Sequence, residues 1–270
     1  MSELRQRVKQ ALPTPIWRLA SETRYALSRA AQWPAARFDP RRLESIRRLG
    51  ELKNIHSGQR CFIIGNGPSL KRTDLRRLQG EFTFGMNRFY LLFDELGFHT
   101  TYYLAVNSLV IEQCAEELRR LPMPRFISWR SRNLIQPADG LIYLHTTYTG
   151  PCFARDARGR LWEGATVTYV ALQLAYHMGF NPVILIGVDH SFSTPGKPNT
   201  TVVSQGDDPN HFSANYFGKG FRWQLPDLET SEKAYRMARQ AYHQAGRQVL
   251  DATVGGKLTV FPKVAYDDLF

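Results

Sequence analysis

Cys61-Phe62-Ile63-Ile64-Gly65-Asn66-Gly67-Pro68-Ser69 is the stretch that decides how this chain is read. Four apolar residues running into a glycine-bracketed turn mark a buried strand that ends in a loop. In doubly wound folds a strand, a glycine loop and a helix together bind phosphate, because glycines let backbone N–H groups approach the oxygens. Gly65 and Gly67 flank Asn66, whose amide can donate to a phosphate or a ribose, and Ser69 adds a hydroxyl. The loop is neither a G-x-G-x-x-G nor a P-loop, since no G-K-[ST] follows, and a tight turn without a ligand is its plainer reading.

Outward from this loop, short apolar runs alternate with amphipathic stretches, the pattern of a parallel sheet. Residues 82–86, 101–106, 125–129 and 141–145 read as further strands. Residues 182–189 read as a central strand, apolar on both faces and ending on Asp189. Ser108 is expected to cap a helix through Leu121, with Leu109, Ile111, Cys114, Ala115 and Leu118 as its buried stripe. Residues 166–178 are apolar almost all round and predict a buried helix that Gly179 ends. After Asp189 come roughly forty residues rich in Gly, Pro, Asn and aromatics, a length that suggests an active-site lid. A helix over 231–245 and a strand over 248–252 close the pattern. The expectation is an α/β fold, a doubly wound, mostly parallel Rossmann-like sheet with an N-terminal helical extension and a long lid loop. Residues 1–53 form the basic helical extension and residues 54–270 the nucleotide-binding catalytic domain.

Charge narrows the partners. The 270 residues carry a formal net charge of +11. Residues 1–53 hold twelve Lys/Arg and five Asp/Glu, so seven of those charges lie outside the catalytic part and only four within it. That distribution argues against nucleic acid and for a phosphate-bearing substrate or an anionic membrane surface. The first fifty residues read as helices broken by Pro13, Pro15, Pro34 and Pro40, with arginines among Trp17, Trp33 and aliphatic residues, a composition that suits an anionic membrane. A solvated helix packed on its own domain is the plainer reading of the same segment. Cys61, Cys114 and Cys152 form no C-x-x-C and are odd in number, which suits a reducing compartment. Pro13 and Pro15 stand where a secretory apolar region would run, and no apolar run is long enough to span a bilayer. The chain reads as cytoplasmic, peripheral on the inner face of the membrane, and compatible with a homo-oligomer.

Two more strands end in asparagine, at Asn87 and Asn107. Ligands in open α/β sheets bind beyond the carboxyl ends of strands, so three such carboxamides would ring one crevice and suit a pyrimidine edge, a ribose or a phosphate. Taken singly, each also reads as a cap or a turn residue. No D-x-D motif is present; Asp207-Asp208 and Asp267-Asp268 read as solvated pairs, and Glu163 as a turn residue. Asp189 alone could hold Mg²⁺ or accept from an acceptor sugar.

Gly65-Asn66-Gly67-Pro68-Ser69-Leu70, Met86-Asn87-Arg88-Phe89, Val106-Asn107-Ser108-Leu109 and Ile186-Gly187-Val188-Asp189 together resemble bacterial sialyltransferases of glycosyltransferase family 42. They equally resemble the wider group that shares this domain with an archaeal 6-hydroxymethylpterin diphosphokinase, near which the flagellin-modifying transferases of nonulosonic acids belong. The likeness runs from about Arg60 to about Ala252. It implies a CMP-activated donor with phosphates over Gly65–Gly67 and the cytidine and ribose near Asn66, Asn87 and Asn107. It also places Thr166, Val167 and Thr168 where the sialyltransferases hold Thr-Ser-Gly around the donor. Thr166 keeps its type while Val167 and Thr168 depart, which leaves room for another donor sugar. The base histidine of the family sits in a comparable loop, making His211 the candidate and His190 its rival; either also reads as structural. One of two tyrosines that help the leaving phosphate falls on Ser191 here, and Tyr216, with Lys219 and Arg222 nearby, could substitute. Tyr216, Phe217 and Trp223 read equally well as residues that pack the lid down.

The function this implies is transfer of a CMP-activated acidic sugar, sialic or another nonulosonic acid, onto a cell-surface or lipid-linked glycan. The transfer would proceed with inversion and without a metal or other cofactor. The alternative is an ATP- and Mg²⁺-dependent 6-hydroxymethylpterin diphosphokinase-like enzyme, which needs clustered carboxylates where this chain has asparagines. A non-catalytic nucleotide-binding component of glycan assembly is the third reading.

Overall fold

The computed structural model describes residues 14–270. The basic segment before residue 14, Pro13 included, lies outside the described residues, as do the side chains of residues 14–18, Pro15 and Trp17 among them.

Ten strands form: β1 (Cys61–Ile64), β2 (Thr83–Met86), β3 (Tyr102–Ala105), β4 (Arg125–Ser128), β5 (Leu141–Thr147), β6 (Arg160–Trp162), β7 (Val183–Ile186), β8 (Thr201–Val203), β9 (Arg222–Gln224) and β10 (Val249–Asp251). Eight of them make one sheet in the order β10-β7-β1-β2-β3-β4-β5-β6, parallel at every pairing. The chain adds strands outward from β1 to β6, then returns to the other side of β1 for β7 and β10. This reversal makes the fold doubly wound and sets the topological switch between β1 and β7.

The alternation along β1 explains the two layers. Cys61 and Ile63 face a core shared with two helices, α5 (Val167–Met178) and α6 (Leu228–Gln244). Phe62 and Ile64 face a second core with Leu70, Phe89, two short helices, α3 (Ser108–Gln113) and α4 (Ala115–Arg120), and the aromatic residues of the lid. Buried on both faces, β1 and β7 must be apolar throughout, as they are. Thr166 caps α5 through its hydroxyl, which accepts from Thr168 N, and Gly179 ends it at φ 96°.

At the N-terminus α1 (Thr14–Phe38) runs unbroken through Pro34, and Asp39 then caps α2 (Pro40–Glu51) with Pro40 in its first turn. Pro34 therefore does not interrupt the helix as expected, while Pro40 does start a new one. Helix α2 lies on β5: the fully buried Arg42 donates to the carbonyls of Tyr143 and Arg158, and Ser45 Oγ accepts from Tyr143 N. The expected helix over residues 108–121 is two short helices broken at Cys114, and its cap is Asn107, not Ser108. The lid is not structureless, because β8 and β9 form an antiparallel ribbon within it.

Candidate functional site

The glycine loop owes its glycines to β7. A Cβ on Gly65 would stand 2.2 Å from the carbonyl oxygen of Gly187, and one on Gly67 would stand 1.8 Å from Asp189 Oδ2. Gly65 N donates to Ile186 O at 2.7 Å and Gly67 N to Gly187 O at 2.9 Å. Ser69 donates twice to Asp189, from its backbone N at 3.1 Å and from Oγ at 2.6 Å. The chain then enters a five-residue 3₁₀ turn, Pro68–Arg72, in place of the α-helix that a phosphate cradle uses. The cradle expected of Gly65, Gly67 and Ser69 is thus occupied by the protein itself. Three amides and a hydroxyl already have acceptors, and a carboxylate stands where an anionic ligand would have to come. Asp189, expected as a ligand group, ties β7 to this loop instead.

One step along the sheet the picture reverses. Asn66 Nδ2 donates to Met86 O, at the end of β2, at 3.3 Å, and its Oδ1 is buried without a partner. Asn87, at φ 54°, likewise buries an unpaired Oδ1, while its backbone continues the ladder to Leu104 O. Two unpaired carboxamide oxygens at adjacent strand ends are costly unless something donates to them. Asn66 and Asn87 thus stand at the ends of adjacent strands, β1 and β2. Asn107 does not join them, because its Oδ1 accepts from Leu109 N at 2.9 Å and Val110 N at 3.4 Å as the cap of α3.

The lid docks on this crevice. Phe212 N donates to Asn66 O at 3.0 Å, which carries His211 to the edge of the asparagine pair. His211 Nδ1 lies 2.6 Å from Asp208 Oδ2, and its ring stacks on Tyr216 with centroids 4.0 Å apart. Asp208 is buried, its other oxygen accepting from Asn210 N at 2.9 Å. A carboxylate only accepts, so His211 Nδ1 carries a proton, and in the neutral ring Nε2 then holds the lone pair, the arrangement that suits an oriented general base. Asp208, expected to be solvated, is instead the residue that orients His211. Tyr216 is fully buried, its hydroxyl accepting from Arg88 N at 3.4 Å, and burial pushes that hydroxyl well above its usual pKa. It is the floor beneath His211 and packs the lid, the second of its two expected roles.

His190 and the threonines occupy another corner. His190, at φ 54°, has its Nε2 3.8 Å from Glu232 Oε2, and burial lowers its pKa against the opposing pull of Glu232 and Asp251. Its ring lies 6.1 Å from that of Tyr235, whose hydroxyl meets Thr166 Oγ1 at 3.3 Å. Thr168 is buried beside them at the N-terminus of α5. Among the described residues no hydrogen bond or ring contact joins this corner to His211. Farther along the edge, Glu163 opens the expected turn, its carbonyl accepting from Thr166 N at 3.0 Å, while its buried carboxylate pairs with Arg130. Burial raises its pKa, with Arg130 opposing. Two surface depressions of about 330 Å³ each, one against Arg236 and His243 and one against Glu116 and Leu134, leave the strand ends untouched.

No protein-family model and no curated protein sequence matches the chain. Two solved structures are similar. One is the MAf glycosyltransferase from Magnetospirillum magneticum AMB-1, 16% identical with a TM-score of 0.50 over 84% of this chain and 39% of that one. The other is a mammalian sialyltransferase in complex with Gal-beta-1-3GalNAc-ortho-nitrophenol, 12% identical with a TM-score of 0.37 over 79% of each chain. The first likeness is one of fold. This chain spans about two fifths of the length of the Magnetospirillum protein.

Proposed function

We propose that the protein is a glycosyltransferase that moves a CMP-activated acidic sugar onto a glycan acceptor, with His211 as general base. The observation that carries this reading is the His211–Asp208 pair held by the lid beside two unpaired carboxamide oxygens. Those oxygens need donors, which a phosphate lacks and a ribose hydroxyl or a cytosine amine supplies. The nucleoside therefore belongs against Asn66 and Asn87. Its phosphate belongs toward the N-terminus of α5, where Thr166, Thr168 and the backbone dipole favour an anion. A shared fold with a glycosyltransferase supports the same assignment.

In the reaction, His211 Nε2 takes the proton of an acceptor hydroxyl as its oxygen attacks the anomeric carbon from the face opposite the nucleotide. The bond from that carbon to the CMP phosphate oxygen breaks, CMP leaves with the electron pair, and the configuration inverts. Asp208 stabilises the imidazolium that forms. The scheme assigns no step to a metal, because the nearby carboxylates already have partners: Asp189 holds Ser69, Asp208 holds His211 and Asp251 holds Lys263.

Thermal-shift measurements with CMP, CDP, UDP, ADP and ATP, each with and without EDTA, test the reading. Stabilisation by CMP that ignores EDTA is the expected result. Stabilisation by ATP that requires Mg²⁺ would point to a diphosphokinase and overturn it.

A further inference from the structure

Helix α1 carries an apolar face that is exposed among the described residues. Ser21, Tyr25, Arg29 and Ala36 turn toward the body of the molecule. On the other side Leu19, Leu27, Trp33 and Phe38 are 67%, 66%, 53% and 61% exposed. At the helical repeat these four fall within one arc, which they share with Ala26, Ala30 and Pro34 and with two polar residues, Thr23 and Arg37. A contiguous exposed stripe of this kind marks an interaction surface.

Charge says what covers it. Residues 1–38 contain seven Lys/Arg and two Asp/Glu. Arg37 leans over Phe38 on the stripe itself, and Arg24 leans over Tyr25 beside it. Arg29 Nη1 donates to Thr149 Oγ1 at 2.7 Å, pinning α1 beside the carboxyl end of β5. A Cβ on Gly150 would lie 3.2 Å from Arg29 Cζ and 3.0 Å from Arg160 Nη1. Two guanidiniums therefore crowd one glycine, and among the described residues no carboxylate pairs with either. The same field reaches His145, whose pKa is pushed down to about 4 by burial first, then by Arg42, Arg160 and Arg130.

We propose that α1 lies flat on an anionic lipid bilayer, with Leu19, Leu27, Trp33 and Phe38 at the acyl–headgroup boundary and the arginines among the phosphates. No described helix is long and apolar enough to cross a membrane, so the helix lies on the surface. A second copy of this chain is the poorer occupant, because pairing two α1 helices would bring two surpluses of positive charge together. Since Arg29 fixes α1 at the carboxyl end of β5, the docked bilayer lies on the side of the sheet where the strand ends carry the candidate site.

The test uses the full chain and sedimentation with vesicles of phosphatidylcholine alone or with one quarter phosphatidylglycerol. The chain is expected to sediment with the anionic vesicles, and about tenfold less with neutral ones or in high salt. The double variant Leu27→Asp/Trp33→Asp should bind anionic vesicles about tenfold less, with an unchanged melting temperature because both side chains are more than half exposed. Arg24→Glu/Arg37→Glu should erase the preference for anionic lipid. A wild-type chain that stays in the supernatant, or an aspartate variant that sediments equally well, would overturn the proposal. So would a lipid-free dimer that Leu27→Asp/Trp33→Asp dissociates, which would assign the face to a second copy. The readout is binding and not turnover, so its failure would leave the glycosyl-transfer reading intact.

Discussion

The seam between β1 and β7 and the crevice between β2 and the lid lie side by side, yet their polar groups are treated in opposite ways. At the seam the amides of Gly65, Gly67 and Ser69 and the Ser69 hydroxyl have acceptors in Ile186, Gly187 and Asp189. In the crevice Asn66 and Asn87 bury unpaired oxygens, and His211 points a free nitrogen away from its carboxylate. A glycine motif records that a backbone must come close to something, but it does not say to what. Here the partner is another strand end, and the polar atoms left unpaired lie one strand away.

The largest expected effect falls on the crevice. His211→Ala should slow turnover of a CMP-activated donor by about a hundredfold or more while leaving CMP affinity near wild type. Asp208→Asn should slow it by a smaller factor in the same direction. His190→Ala, on the seam side, should stay within about threefold; a larger loss there would reverse the assignment of the two histidines. Next comes the seam itself. Gly67→Ala should cost about 3 kcal/mol of stability in a denaturant titration, because its Cβ meets the Asp189 carboxylate. Asp189→Ala should relieve part of that cost, so the double variant should be more stable than the two single losses predict. If Gly67→Ala is neutral for stability and abolishes nucleotide binding, the loop is a ligand cradle after all.

Asn66→Ala should weaken CMP about tenfold, the worth of one hydrogen bond to a buried group, with little change in stability because losing the Nδ2 bond to Met86 O is offset by removing a buried unpaired oxygen. The smallest effect is on pH dependence. His190 has a folded pKa below its ordinary value of 6.5, so its contribution to stability is complete above that value. It is lost as the pH falls through the folded value. Melting temperature measured from pH 8 to pH 5 should therefore fall less steeply for His190→Gln than for wild type.

Much of the architecture is legible without coordinates where burial leaves a strong pattern. Strands β1 and β7 are apolar on both faces, and Thr166 and Gly179 bracket α5 by chemistry that belongs to helix ends. Short or edge elements hide: β6 is three residues, Arg160-Leu161-Trp162, with nothing periodic to read. Pro34 is misleading because its ring sits on the exposed side of α1, where one missing hydrogen bond is tolerated. Asn107 is a cap and Asn66 is not, although both follow a strand; only the direction of the next helix separates them. Asp208 is masked by its neighbour Asp207, since two adjacent acids suggest a solvated surface. The i, i+3 spacing of Asp208 and His211 is the signal that could have found the pair. Tyr235 is invisible in sequence because it belongs to the buried stripe of α6 and meets Thr166 only in the folded chain.

A crystal structure of the protein with CMP tests the central claim most directly. The account predicts the nucleoside in the β2–lid crevice, donating to Asn66 Oδ1 and Asn87 Oδ1 at about 3 Å, with the Asp189–Ser69 contacts unchanged. CMP seated over Gly65 and Gly67 with Asp189 swung away, or an empty crevice at millimolar CMP, would contradict it.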